Sequence, residues 1–183
     1  MIKHKEQRVG VFVDVSNMYH SAKNLFGAKV NFSEVLRTAV ANRKLIRAIA
    51  YVIRSESEEE RSFFGALGNQ GFEVKAKDLQ IFAGGAKKAD WDVGLAIDAI
   101  KMADKLDVVI LVSGDGDYVP LVVYLKENKG CQVEVLAFGK TTSAKLGESV
   151  DDFIDLGQDQ SRYLILPPQP SKSKIFPSFR KKQ

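Results

Sequence analysis

The sequence predicts an α/β protein built on a mostly parallel sheet. Three observations carry this. Val108-Val109-Ile110-Leu111-Val112 and the segment Val9 to Val13 are apolar, β-branched runs, as expected of strands buried on both faces. Strand-like and helix-like segments alternate along the chain. Acidic residues stand directly behind both runs: Asp14 after the first, and Asp115 and Asp117 in Ser113-Gly114-Asp115-Gly116-Asp117 after the second. Open α/β sheets place their chemistry beyond the carboxyl ends of strands, so these carboxylates are expected along one edge of one sheet.

Each element follows from local signals. Strands are expected at 9–14, 46–53, 72–76, 108–113 and 132–138, and helices at 16–26, 32–43, 57–70, 91–105, 118–128 and 143–152. Asn31 and Glu34 have the spacing of an N-cap and its N3 partner. Glu56, Glu58, Glu59 and Glu60 read as the solvated opening turns of the third helix. Gly71 and Gly130 follow helical patterns as stop signals. Pro120 falls in the first turn after Asp117, where a missing N–H costs little. In the helix 91–105, Val93, Ala96, Ile97 and Ile100 form the expected buried face, with Asp92 at its border and Asp98 further round.

Bulk composition narrows the class. A chain of 183 residues suits one domain with a substantial core. No apolar run approaches the roughly 20 residues of a membrane span. The charged start, Met1 to Arg8, lacks a secretory pattern, so a cytoplasmic location and no membrane partner are expected. Cys131 is the single cysteine, which excludes an internal disulfide and reads as a small buried side chain. The net charge of +4 is unevenly spread: residues 167–183 carry five cations and no acid, and the remainder stands at −1. Residues 1–166 are therefore expected as the folded domain. Residues 167–183, with Pro167-Pro168-Gln169-Pro170 and then Ser/Lys-rich sequence, are expected as a disordered basic tail.

Asp14, Asp92, Asp115 and Asp117 are the candidate catalytic and metal-ligating residues. Two carboxylates about 4 Å apart repel by roughly 4 kcal/mol at an effective dielectric near 20, so such a cluster must bind a proton or a cation. All-oxygen donors point to Mg²⁺ or Mn²⁺. Such ions activate water and neutralise charge on a phosphoryl group. Asp117 is expected to open a helix, and Gly114 and Gly116 to let a phosphate or a water approach the backbone. Asn17 is read as a cap or as an orienting group for bound water. Asp90 and Asp98 rank as supporting acids. Lys87 and Lys88 stand where they would touch phosphate. Trp91 is read as a packing residue, and His20 as an exposed helix residue with no ligand partner nearby. The apolar positions Phe63, Phe64 and Leu67 suit a core or a homodimer face equally.

At these residues the chain resembles the NYN domain family, in its bacterial and archaeal LabA-like branch, relatives of PIN-domain ribonucleases. The resemblance rests on Val11-Phe12-Val13-Asp14-Val15-Ser16-Asn17-Met18-Tyr19, on Lys88-Ala89-Asp90-Trp91-Asp92-Val93-Gly94, and above all on Leu111-Val112-Ser113-Gly114-Asp115-Gly116-Asp117-Tyr118. Thr142 to Leu146 and Asp151-Asp152-Phe153 also fit. It covers residues 8–157. It implies a PIN-like three-layer α/β/α sandwich and Mg²⁺- or Mn²⁺-dependent cleavage of RNA, single-stranded by expectation. Carried over, Asp14, Asp92, Asp115 and Asp117 form the acidic site, with Asn17, Ser113 and Asp98 in support. Val15 and Ala89 replace the glycines usual in the family, each adding a Cβ near the site. The expected function is a metal-dependent endoribonuclease. The alternative is a non-catalytic RNA- or protein-binding regulatory module on the same fold. A phosphatase is disfavoured, because Asp14-Val15-Ser16 lacks the second Asp of an Asp-x-Asp pair.

Overall fold

The computed structural model describes residues 3–54, 57–81, 87–88 and 90–166. In chain order the elements are β1 (Arg8–Asp14), α1 (Val15–Phe26), β2 (Lys29–Val30), α2 (Phe32–Val40), β3 (Lys44–Arg54), α3 (Glu58–Asn69), β4 (Glu73–Asp78), β5 (Gln80–Ile81) and β6 (Lys87–Lys88). Then follow α4 (Asp92–Ala103), β7 (Val108–Val112), α5 (Val119–Lys129), β8 (Gln132–Ala137), α6 (Ala144–Ser149), β9 (Asp152–Asp155), α7 (Gln160–Tyr163) and β10 (Leu164–Ile165). Short 3-10 turns occupy Gly116–Tyr118, Gly139–Thr141 and Leu156–Gln158. The basic segment 167–183 lies outside the described residues.

Six strands form the central sheet in the order β4-β3-β1-β7-β8-β9, and every pairing within it is parallel. The chain builds outward from β1 through β3 to β4, then returns to start again with β7 on the other side of β1. The order therefore reverses between β1 and β7, which is where such sheets open a binding crevice. Register sets what lines it. Val13 pairs with Val112, so Asp14 stands beside Ser113, and on its other side Asp14 pairs with Tyr51.

The period-two alternation of the strands divides the core into two layers. Val9, Val11, Val13, Val108, Ile110 and Val112 pack with α1, α2 and α3 on one face. Phe12, Ile49, Tyr51, Val109 and Leu111 pack with α4, α5 and α6 on the other. The result is the three-layer α/β/α sandwich. Leu67 is buried and Phe64 packs on the first layer, so the apolar side of α3 serves the core. Cys131 is buried, with its thiol directed at the carbonyls of Ala103 and Leu106.

Several boundaries depart from expectation for identifiable reasons. Helix α2 ends at Val40 because Ala41 and Asn42 both take positive φ, at 48° and 62°. The span 143–152 is a six-residue helix followed by β9, a parallel edge strand. In α4 the buried face is Leu95, Ala99, Met102 and Ala103, while Val93 is 69% and Ile97 45% exposed. The caps hold as expected at Asn31, which accepts from Glu34 N, and at Gly130, which takes φ 66°.

At Glu134 the first layer carries a charge, fully buried within β8. The Arg43 guanidinium binds it with two parallel hydrogen bonds, of 2.6 and 3.0 Å. The same guanidinium caps α2 through the Ala39 and Val40 carbonyls. Lys3 reaches Glu134 at 3.1 Å. Removing one member of a buried pair strands the other's charge, at a cost of about 3–5 kcal/mol. Arg43→Met is therefore expected to lower the melting temperature by about 10 °C, and Arg43→Met/Glu134→Leu to recover most of it, as read by thermal denaturation.

Candidate metal centre

The crevice between β1 and β7 holds a pocket of about 180 Å³, room for on the order of ten waters. Asp14, Asp92 and Asp115 line it, together with Asn17, Asp90 and Trp91. Three elements deliver the acids: the end of β1, the start of α4 and the loop behind β7. Asp92, Asp115 and Asp117 each present a carboxylate oxygen, and these oxygens lie within 4.8 Å of one another. An oxygen-only donor set at this spacing fits a hard divalent cation, whose opposed ligands lie about 4–5 Å apart.

Asp14 occupies the wall of the same pocket outside that triplet. One of its oxygens accepts from Asn17 N at 3.0 Å and caps α1. Burial, with the charges of Asp92 and Asp115 adding to it, pushes its carboxyl up to about 6. Burial likewise raises Asp92, and the Asp115, Asp90 and Asp117 charges act the same way against the hydrogen bond from Tyr118. The pocket thus concentrates negative charge that a cation would neutralise.

Supporting contacts brace the loop. Asn17 Oδ1 accepts from Gly114 N at 3.0 Å, so its amide fixes the loop, and the N-cap of α1 is Asp14. Ser113 is buried, and its hydroxyl accepts from Asp115 N at 3.2 Å. Asp115 accepts from Asp117 N at 2.9 Å and is itself the cap of the 3-10 turn, a role expected at Asp117. Gly114 and Gly116 also meet a close-packed neighbour. A Cβ at Gly114 would lie 2.9 Å from Thr142 Oγ1 and 3.1 Å from its Cα, and one at Gly116 would lie 2.8 Å from Ser143 Oγ. Ser143 N donates to Gly114 O at 2.9 Å and closes the brace.

Other expected residues fall elsewhere. Asp98 is outside the cluster: Lys75 Nζ donates to it at 2.7 Å and Tyr51 OH at 2.9 Å. Burial opposes its ionisation, but these two bonds outweigh burial and hold it below the usual carboxylate range. Asp90 is exposed at the pocket rim. The backbones of Lys88 and Lys87 pair with Gln80 and Ile81 in a small antiparallel hairpin before α4. Val15 is buried in the core layer under α1, so its Cβ stays clear of the pocket; Ala89 lies outside the described residues.

Two residues join the site from outside the expected set. Tyr118 OH donates to Asp92 Oδ1 at 2.9 Å from a site that is 2% exposed. A buried phenol needs a partner, and its place directly after Asp117 was the available signal. His20 is exposed on α1, as expected, and it also lines the pocket. Its spacing of three from Asn17 put both on one helix face. Trp91 is locked as wall: its Nε1 donates to Val52 O at 2.9 Å, and its ring lies 2.5 Å from where a Gly94 Cβ would sit.

A carboxylate cluster that fits a hard cation thus lies at the switch point of an α/β/α sandwich. The NYN domain profile matches residues 8–157, and the chain belongs to the NYN domain family. It is similar to the Low amplitude and bright protein LabA of Synechococcus elongatus, 26% identical over 166 residues that span 86% of this chain and 88% of that one. It is also similar to the crystal structure of a Vibrio parahaemolyticus protein of unknown function. That likeness has a TM-score of 0.81 and 32% identity, covering 90% of this chain and 100% of the other. Among the described residues no helix is long and apolar enough to cross a membrane.

Two consequences can be measured. The folded-state pKa of Asp14 lies above its unfolded value of 3.8, so the metal-free protein loses stability as pH rises from about 4 to about 6. Asp14→Asn keeps an acceptor for the cap and removes the charge. In chelator it is expected to gain up to about 3 kcal/mol at pH 8 and nothing below pH 4, measured by urea titration. Tyr118→Phe removes the bond that orients Asp92. It is expected to weaken Mn²⁺ binding by about tenfold or more in calorimetry with little change in melting temperature.

Proposed function

We propose that the protein is a divalent-metal-dependent endoribonuclease that hydrolyses phosphodiester bonds of single-stranded RNA in the cytoplasm. The observation that carries this reading is the meeting of Asp92, Asp115 and Asp117 oxygens within 4.8 Å in the crevice of a nuclease-like fold. Asp92, Asp115 and Asp117 would hold Mg²⁺ or Mn²⁺, with Asp14 as the fourth acid of the site. When bound, the ion lowers the pKa of water and shields charge on the phosphoryl group.

The chain's own residues do the positioning. Tyr118 fixes the Asp92 carboxylate, and Ser113 with Asn17 fixes the loop that carries Asp115 and Asp117. Trp91 walls the pocket on one side, so a phosphate enters from the solvent-facing rim. Lys87, Lys88 and the basic segment 167–183 are assigned the sequence-independent contacts to RNA phosphates. Residues 1–166 as a whole, at −1, add little general attraction, which is the feature that favours a binding module without turnover as the second reading.

The test is cleavage of a single-stranded RNA with Mn²⁺, with excess chelator, and by Asp115→Asn. Wild-type cleavage is expected, with loss of about a hundredfold or more in the variant and complete loss in chelator. Equal cleavage by both proteins, or cleavage that survives the chelator, overturns the nuclease reading. RNA binding without turnover under any divalent ion supports the binding module.

A further inference from the structure

The aromatic side chains at and beside the acidic crevice divide into committed rings and one open ring, Tyr19, which stands outside the pocket lining. Trp91 is held by the Val52 carbonyl and lies against Gly94. Tyr118 and Tyr51 are buried, each with its hydroxyl bound to a carboxylate. Tyr19 is different. It projects from the second turn of α1 with 42% of its surface exposed. Its neighbour in sequence, His20, lines the acidic pocket and meets the Tyr19 ring edge-on at 5.4 Å between centroids. One helical turn further on, Lys23 Nζ lies 5.5 Å from the centre of the same ring. Lys23 is exposed and makes no ion pair among the described residues. A single exposed tyrosine is ordinary on a protein surface. A π-face, a pocket-lining imidazole and a cation along one helix edge, beside a phosphoryl-sized acidic pocket, form a more specific combination.

Resting on the nuclease reading, we propose that Tyr19, His20 and Lys23 form the subsite for the nucleotide next to the scissile phosphate. The Tyr19 ring stacks the unpaired base. Lys23 contacts the adjoining phosphate, and His20 bridges the subsite to the pocket. Stacking accepts any base because every base has a π-face, so the subsite confers a requirement for single strands without choosing a sequence. A paired base is already stacked on its neighbours and is not available to the ring.

The experiment measures binding of fluorescently labelled RNA, single-stranded and fully duplexed, by anisotropy. It uses the full chain in the Asp115→Asn background, so that the RNA stays intact. Tyr19→Ala is expected to weaken single-strand binding by about five- to a hundredfold, Tyr19→Phe to retain it, and duplex binding to change less than twofold in either. Lys23→Ala is expected to reduce the salt dependence of log affinity by about one contact. A melting temperature and a Trp91 emission spectrum unchanged from the Asp115→Asn parent serve as the control that the fold is intact. Unchanged single-strand affinity in Tyr19→Ala, or equal losses on both RNA forms, overturns the subsite and leaves the nuclease reading standing. Absence of RNA binding and cleavage by the chain with intact Asp115 overturns both.

Discussion

The parallel pairing of Val13 with Val112 is the constraint on which the molecule depends. It puts two strands, buried over residues 9–13 and over Val108–Val112, side by side where the order of the sheet reverses, and both of their following segments must leave from the same edge. The acidic residues are then brought together by chain direction and register, with no need for attraction among them. A shift of one residue would turn Asp14 toward the opposite face of the sheet and exchange which valines reach each core layer. The two apolar layers, one under α1, α2 and α3 and one under α4, α5 and α6, fix that register from both sides.

That arrangement forces like charges together at a hydrophobic edge. Asp14 is buried against the end of its own strand, and Asp92 opens a helix aimed at the Asp115 loop. The fold holds this repulsion with bonds that come from outside the cluster. Tyr118 reaches up from the second layer, Asn17 reaches across from α1, and Ser143 reaches over from the loop behind β8. Each ties one acidic segment to a different part of the scaffold. The distribution explains why the site needs so much of the chain: no single segment could hold its carboxylates against the others.

Much of this was readable beforehand because strong local rules agreed with the global fold. The buried runs, the stop glycines and the acids behind strand ends each reflect a rule that tertiary packing seldom overrides. The failures have equally local causes. Helix α4 carries two apolar stripes, one through Val93 and Ile97 and one through Leu95, Ala99 and Met102. Spacing alone cannot choose between them. The choice follows from Trp91 lying over Gly94 and from Asp98 meeting Lys75, and neither contact is visible in one dimension. Strand β9 is only Asp-Phe-Ile-Asp, half-buried throughout, and lacks both an apolar run and a clean alternation. The role of Tyr118 is not local, because its phenol acts through a partner 26 positions away in the chain. The close packing of a neighbouring loop against the glycines of the acidic loop is likewise invisible in one dimension.

That last contact reaches beyond packing. With Thr142 and Ser143 on one side and the amide of Asn17 on the other, the loop bearing Asp115 and Asp117 has no slack in which to spread. The carboxylates it carries are held in place by neighbouring segments rather than by any cation, so the spacing of the donors is a property of the polypeptide itself.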